Sequence, residues 1–215
     1  NARIIKGGIP VNREKFIVKG SIPDPAYLAA FELDMELRSI GVRLANLSTT
    51  VREIKNKGES VVLQKKKIIF TTWSPKLIEI ITLTNMHSIN LYAEHLINQI
   101  GVSTSKLGNT DSGTQATTLF WKEKGLDIDG FYMNDGSGLS RFNGVTTQQL
   151  VGVLKHMNES ENKDLFFNSL PVSGKSGTMR SIGRGDVAFG RINAKSGTMT
   201  RVKSYAGYVT TKNKR

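Results

Sequence analysis

Apolar and polar positions alternate weakly over residues 1–20, and residues 15–19 predict a short strand ended by Gly20. The period then lengthens. Ser21-Ile22-Pro23-Asp24-Pro25 sets a helix start, with Asp24 as N-cap and Pro25 at the first helical position. A carboxylate there can accept from the free N–H groups of the first turn, and proline sacrifices no bond. Leu28, Phe31, Met35 and Ile40 are spaced as its buried stripe, and Gly41 is the natural stop. Residues 42–60 are polar and predict a loop, whereas 61–63 and 68–70 predict strands flanking Lys65-Lys66-Lys67.

Ser74-Pro75 repeats the cap-and-proline signal, opening a helix with Leu77, Ile80 and Ile81 inside that runs to about Asn85 and Met86. Ser88-Ile89-Asn90 begins a second helix over residues 91–100, closed by Gly101, so the ordinary use of the Ser88 hydroxyl is an N-cap. A third helix covers about 114–124 and stops at Gly125. Residues 134–141 form a tight, glycine-punctuated turn, and Thr146 with Gln149 satisfies the capping-box pattern of a helix through about Met157. From residue 171 onward the chain reads as strand and loop.

Within that last stretch Lys-Ser-Gly-Thr-Met occurs twice, at 175–179 and 195–199. The first copy lies between Pro171 and the glycines Gly183 and Gly185 and predicts a loop. The second leads into a β-rich run and predicts a strand. Alternation then puts Lys195 and Gly197 on one face and Ser196 and Thr198 on the other. Gly197 has no Cβ, so another backbone can lie flat against the strand. A lysine beside such an edge can hold a carboxylate, and exposed N–H groups can hold a carbonyl oxygen. That combination suits the C-terminal end of a peptide.

Composition narrows the partners. The 215 residues suffice for one large domain with a full core, and no apolar run approaches the length of a spanning helix. Cysteine is absent, which removes disulfides and thiolate metal sites. His87, His95 and His156 lack metal-ligand spacing, so no metal or other cofactor is expected. A net charge of +12 favours an anionic partner such as nucleic acid, an anionic membrane surface or an acidic wall polymer. The charge is spread along the chain, with small clusters at Lys65-Lys66-Lys67 and at residues 212–215, and no aromatic-basic RNA-binding signature accompanies it.

The motifs fall in a familiar order. Serine acyl-transfer enzymes of the penicillin-binding and β-lactamase kind combine S-x-x-K with S-D-N and K-T-G. This chain resembles that superfamily. It is most similar to the class C low-molecular-mass penicillin-binding proteins, the D-alanyl-D-alanine carboxypeptidase/endopeptidase family. The matching residues are Gly20-Ser21-Ile22-Pro23-Asp24-Pro25-Ala26, the stretch from Ser88-Ile89-Asn90 through Glu94-His95-Leu96, Asp135-Gly136-Ser137-Gly138-Leu139-Ser140-Arg141, and Ala194-Lys195-Ser196-Gly197-Thr198 with Tyr205-Ala206-Gly207. The resemblance implies an α+β, transpeptidase-like fold, mainly antiparallel sheet flanked by helices plus a helical region, with the whole chain forming part of that domain. It implies an extracytoplasmic or periplasmic enzyme acting on peptidoglycan stem peptides and inhibited by β-lactams. Ser88 would relay a proton to the leaving amine, Asn90 would hold the substrate amide, and Lys195 and Ser196 would bind the terminal carboxylate. The Thr198 N–H would supply half of an oxyanion hole, a device worth roughly 3–4 kcal/mol.

One element departs from the family. Its S-x-x-K belongs before the Ser21 region, yet the S-x-x-K strings here are Ser103-Thr104-Ser105-Lys106 and Ser160-Glu161-Asn162-Lys163, both after Ser88. The family also continues beyond the strand that starts at Tyr205. With Asn rather than Met as first residue, the chain reads as a fragment lacking the nucleophile segment and the final elements. Two other readings stay open: a non-catalytic wall-binding module of the same fold, and a basic nucleic-acid-binding domain supported by net charge.

Overall fold

The computed structural model describes residues 6–12, 14–17, 20, 22–61, 67–68 and 70–211. The chain divides into two compact units, Asn1–Thr71 and Thr72–Arg215.

In the first unit, helix α1 (Pro25–Ser39) starts as expected: Asp24 is the N-cap, its carboxylate accepts from the Tyr27 N–H at 3.0 Å, and Pro25 follows. That backbone donor, with the Arg52 guanidinium that also grips Asp24, holds the carboxyl below its usual range. At the other end Gly41 takes φ +85°, letting the Gly41 and Val42 N–H groups return to the Arg38 and Leu37 carbonyls, the Schellman pattern. The expected buried stripe is not buried. Leu28, Phe31, Met35 and Ile40 all stay exposed, because this unit's only other described element is the six-residue helix α2 (Val51–Asn56), too short to cover them. Helix α2 also replaces part of the expected loop over 42–60. Thr50 caps it by accepting from the Glu53 N–H at 3.2 Å, a Thr-x-x-Glu signal present in the sequence. Residues 15–17, 61, 67–68 and 70 are not strands; the remainder of the strands expected over 15–19, 61–63 and 68–70 lies outside the described residues. So do the cluster at 212–215 and most of the lysine triplet.

The second unit runs α3 (Leu77–His87), α4 (Asn90–Ser105), α5 (Thr110–Glu123), α6 (Thr147–Glu159), α7 (Lys163–Ser169), a 3₁₀ turn (Gly177–Met179) and the hairpin β1 (Ile192–Met199) and β2 (Val202–Val209). The strands pair antiparallel with Ile192 opposite Val209 and Lys195 opposite Ala206. The α+β expectation holds, but the described sheet has only these two strands, both late in the chain.

Three boundaries differ from expectation. Helix α3 begins at Leu77 behind Lys76, without a side-chain cap from Ser74. Helix α5 begins at Thr110, because the Asn109 side chain caps it by accepting from the Ser112 N–H at 2.9 Å. Helix α4 runs straight through Gly101 to Ser105. Gly101 is no stop; it is the contact point with α5. A Cβ at Gly101 would sit 2.5 Å from the Leu107 carbonyl oxygen, and one at Gly113 would sit 2.0 Å from that of Ile97. Gly113→Ala is therefore expected to destabilise the protein. Overpacking against backbone costs about 3 kcal/mol, offset by about 1 kcal/mol of helix propensity, and the drop is readable as a lower denaturant midpoint.

Helix α6 has its reciprocal Thr146–Gln149 box, and buried Gln149 also donates to the Asp127 and Asp129 carbonyls. The unanticipated α7 lies beside α3, where Asn85 donates to the buried Ser169 hydroxyl at 2.9 Å. The Tyr208 hydroxyl ties β2 to the Leu154 carbonyl of α6, and burial pushes that phenol's pKa up. Ile97, Leu170, Met179 and Ala194 are the buried apolar centre.

Candidate functional site

Ser88 is not the expected N-cap. It is the C-cap of α3, held in the left-handed region at φ +53° and ψ +54°, with its N–H returning to the Thr84 carbonyl. A non-glycine residue adopts that conformation uncommonly and at a cost. Ile89 is the N-cap of α4 and offers no side-chain bond. The Ser88 hydroxyl is thus spared from both helices and is turned to β1, where it accepts from Lys195 Nζ at 2.9 Å.

Lys195 reaches Ser88 from the start of the exposed half of β1. Its ammonium also donates to the Ser196 carbonyl. Among the described residues no carboxylate pairs with it. Partial burial pushes its pKa below the ordinary lysine range. An ammonium that is half-buried, lacks a counter-charge and is held by two neutral acceptors is electrostatically unsatisfied and will favour an arriving anion.

The edge of β1 away from β2 is available. The Thr210 N–H donates to Arg191, whereas Ala194 and Ile192 bond Pro171 and Ser173 on the opposite edge. Alternation along an antiparallel strand then aims the N–H and C=O groups of Ser196 and Thr198 to that same outer edge. Past Ala194 no described backbone takes the place of 171–173. Gly197 is exposed, and a Cβ there would meet only the Ser204 hydroxyl at 3.0 Å. Asn90 occupies the first turn of α4, two residues beyond Ser88, and its side-chain amide bonds no described residue. The structure therefore joins Ser88 to the 195–198 strand through the direct bond from Lys195, while Asn90 lies two residues beyond Ser88 at the start of α4.

Sequence reasoning gave Glu94 no role, although it falls one helical turn after Asn90. Its carboxylate accepts from the Gly136 and Ser137 N–H groups at 3.2 and 3.0 Å, fastening the 134–141 turn to α4. Gly136 makes this approach possible, since a Cβ would lie 2.4 Å from the Ala93 carbonyl oxygen. Asp135 closes the turn from within by accepting from the Gly138 and Ser140 N–H groups.

The first Lys-Ser-Gly-Thr-Met copy is loop around the 3₁₀ turn, but an ordered one. Met179 is buried, and the Ser176 hydroxyl accepts from the Val172 N–H at 2.9 Å. Lys175 lies over the Phe189 ring. Thr178 touches the second copy: the Ser196 hydroxyl donates to Thr178 Oγ1 at 2.7 Å. Both S-x-x-K strings have serines turned onto backbone. Ser103 donates to the Ile100 carbonyl in the last turns of α4, and Ser160 donates to that of Met157.

Among the described residues no group of three or more His, Asp or Glu could hold a metal ion. His156 instead packs edge-on to Trp121 and Phe120. Nor is any described helix long and apolar enough to cross a membrane.

A D-alanyl-D-alanine carboxypeptidase of Actinomadura sp. is 31% identical to the chain over 214 residues, which is 97% of this chain and 39% of that protein. The D-alanyl-D-alanine carboxypeptidase DacB of Haemophilus influenzae is 30% identical over 102 residues, 46% of this chain and 21% of its own length. A crystal structure of penicillin binding protein 4 from Haemophilus influenzae, complexed with a novel β-lactam, superposes with a TM-score of 0.74 over 90% of this chain and 43% of that one. At 22% identity this last likeness shows a shared fold. The chain thus spans well under half the length of these relatives. The family model of the D-Ala-D-Ala carboxypeptidase 3 (S13) family matches residues 1–215 from end to end, and the chain belongs to that family.

Proposed function

We propose that this chain supplies the proton-relay and carboxylate-binding parts of a serine D-alanyl-D-alanine carboxypeptidase, acting on peptidoglycan stem peptides outside the cytoplasm through an acyl-enzyme. The observation that carries the reading is the 2.9 Å bond from Lys195 to a Ser88 hydroxyl that caps no helix. In this reading the peptide lies along the outer edge of β1. Its terminal carboxylate approaches Lys195 and the Ser196 hydroxyl, and Asn90 holds an amide upstream. The Thr198 N–H donates to the scissile carbonyl oxygen, where preorganised donors stabilise developing negative charge. Ser88, kept in contact with an ammonium, passes a proton to the departing amine. Endopeptidase cleavage of a cross-link is the same chemistry with a larger leaving group. A β-lactam, whose carboxylate and strained amide mimic these groups, occupies the same edge.

The nucleophilic serine and its base are assigned to residues outside these 215. Ser103 and Ser160 spend their hydroxyls on carbonyls of their own helices.

A pH profile tests the carboxylate role. Partial burial lowers the Lys195 pKa, so the free enzyme loses this charge at a pH below the ordinary lysine value. A bound carboxylate favours the charged form, so KM for a carboxylate-terminated substrate should be flat at neutral pH. It should then rise by at most about tenfold per pH unit above the free-enzyme pKa. A matched substrate ending in a carboxamide should lack this limb. For folding the sign is opposite: the unfolded chain binds the extra proton, so the cost of holding Lys195 charged fades as pH rises. A KM limb common to both substrates would remove Lys195 from carboxylate binding. Release of D-alanine from a D-Ala-D-Ala peptide by the full-length protein tests the activity itself.

A further inference from the structure

We propose that Thr178, in the first Lys-Ser-Gly-Thr-Met copy, is a positioning residue that aims the Ser196 hydroxyl at the substrate's terminal carboxylate; the inference rests on the carboxylate-binding role of Ser196 given above. The two hydroxyls are 2.7 Å apart, with Ser196 donating and Thr178 accepting. A serine hydroxyl carries one proton and rotates among three staggered positions, so the half-buried Ser196 has no direction fixed by the strand itself. Thr178 gives it one.

That partner is itself held rigidly. Gly177 takes φ +53°, and a Cβ there would lie 2.6 Å from the Met86 carbonyl oxygen and 3.1 Å from the Pro171 ring, so the turn is seated against the end of α3 and against Pro171. Pro171 in turn accepts from the Ala194 N–H, just before Lys195. Met179 next door is buried, and the Ser173 side chain, fully buried, accepts from the Ile192 N–H at 3.1 Å. The turn that carries Thr178 is thus fixed to both elements that carry the site, α3 with Ser88 and β1 with Lys195.

The chemistry of exchange follows. A carboxylate only accepts hydrogen bonds, so on its arrival the Ser196 proton must turn to it. Threonine has its own proton, and Thr178 can then reverse and donate to the Ser196 oxygen. The pair holds Ser196 in place before binding and keeps it satisfied afterwards. No carboxylate or carbonyl partner for Ser196 could do both, because neither has a proton to give.

The test uses the full-length protein and two D-alanyl thioesters, one whose leaving group ends in a carboxylate and one ending in a carboxamide. Thr178→Val keeps the shape and removes the hydroxyl. It should raise KM for the carboxylate thioester about fivefold, the worth of one neutral hydrogen bond, and leave kcat and the carboxamide thioester within about twofold. Thr178→Ser should restore the wild-type KM. In a Ser196→Ala background, Thr178→Val should have no further effect, since the two side chains act as one. An unchanged KM in Thr178→Val, an equal loss on both thioesters, or full additivity with Ser196→Ala would overturn the proposal while leaving the enzyme reading intact. A wild-type protein that turns over both thioesters with equal KM would overturn the carboxylate site and this role of Thr178 with it.

Discussion

In the full-length protein, Lys195→Ala is expected to lower kcat/KM for a D-Ala-D-Ala peptide by about 10²- to 10³-fold, the cost of truncating one partner of a desolvated charge pair. Lys175→Ala, the same change in the same five-residue string, should leave it within about twofold, as for a surface substitution. The two lysines differ in what surrounds them. Lys195 is half-buried, donates to Ser88 and the Ser196 carbonyl, and faces no described carboxylate. Lys175 is exposed and lies over the Phe189 ring, a contact that acts on stability rather than on chemistry. In the proposed reading, removing Lys195 deletes both the counter-charge for the substrate and the donor that fixes the Ser88 hydroxyl. Both KM and kcat should therefore deteriorate. Steady-state D-alanine release by the two variants, with matched melting curves, decides the matter. Equal losses would mean that the strand copy has no special standing.

The reasons for legibility lie in how local each signal is. Asp24-Pro25 and Thr146 with Gln149 marked helix starts correctly because a cap needs only the three or four residues that follow it. Gly41 and Gly125, both at positive φ, ended helices as glycine does when nothing else approaches. Gly101 looked the same in sequence and did the opposite, since its missing Cβ serves a helix crossing with α5 that no local pattern reveals. The stripe on α1 was correctly periodic but wrongly taken as buried: periodicity shows a face, and covering that face needs partners that the described residues of the first unit do not supply. At the site, Ser88 and Lys195 were found by motif, and the separation of 107 positions between them is closed by tertiary structure alone. Glu94 and Thr178 lie in stretches the sequence singles out, but no motif gave either side chain a role. Both act on neighbours brought in from 42 and 18 residues away, Glu94 on Gly136 and Thr178 on Ser196. A faint clue existed for Thr178, because the duplicated string places the same hydroxyl pair in two settings.

Incubating the full-length protein with penicillin should give a covalent adduct whose modified serine maps outside these 215 residues. A β-lactam is opened by an activated serine to a long-lived ester, and activation requires an adjacent base to take the hydroxyl proton. Within this chain the only lysine bonded to a serine hydroxyl is Lys195, among the described residues, and its partner is Ser88. That lysine faces the carboxylate end of the proposed substrate. Using it as base would leave the carboxylate without a counter-charge. Ser88 also sits in a left-handed C-cap, whose geometry directs its hydroxyl to β1 and not into the first turn of a helix. Ser103 and Ser160 already donate to carbonyls at 2.9 and 2.8 Å and would have to break those bonds to attack. A unit with relay and oxyanion donor but without nucleophile and base keeps only a residual effect, about 10³- to 10⁴-fold over water, which is too small to trap an ester. Intact-mass and peptide-mapping spectrometry after penicillin treatment reads the answer directly. An adduct on Ser88 would make Lys195 the general base and transfer carboxylate recognition elsewhere on the β1 edge; one on Ser103 would require the end of α4 to open and would overturn the assignment of the nucleophile to the rest of the protein.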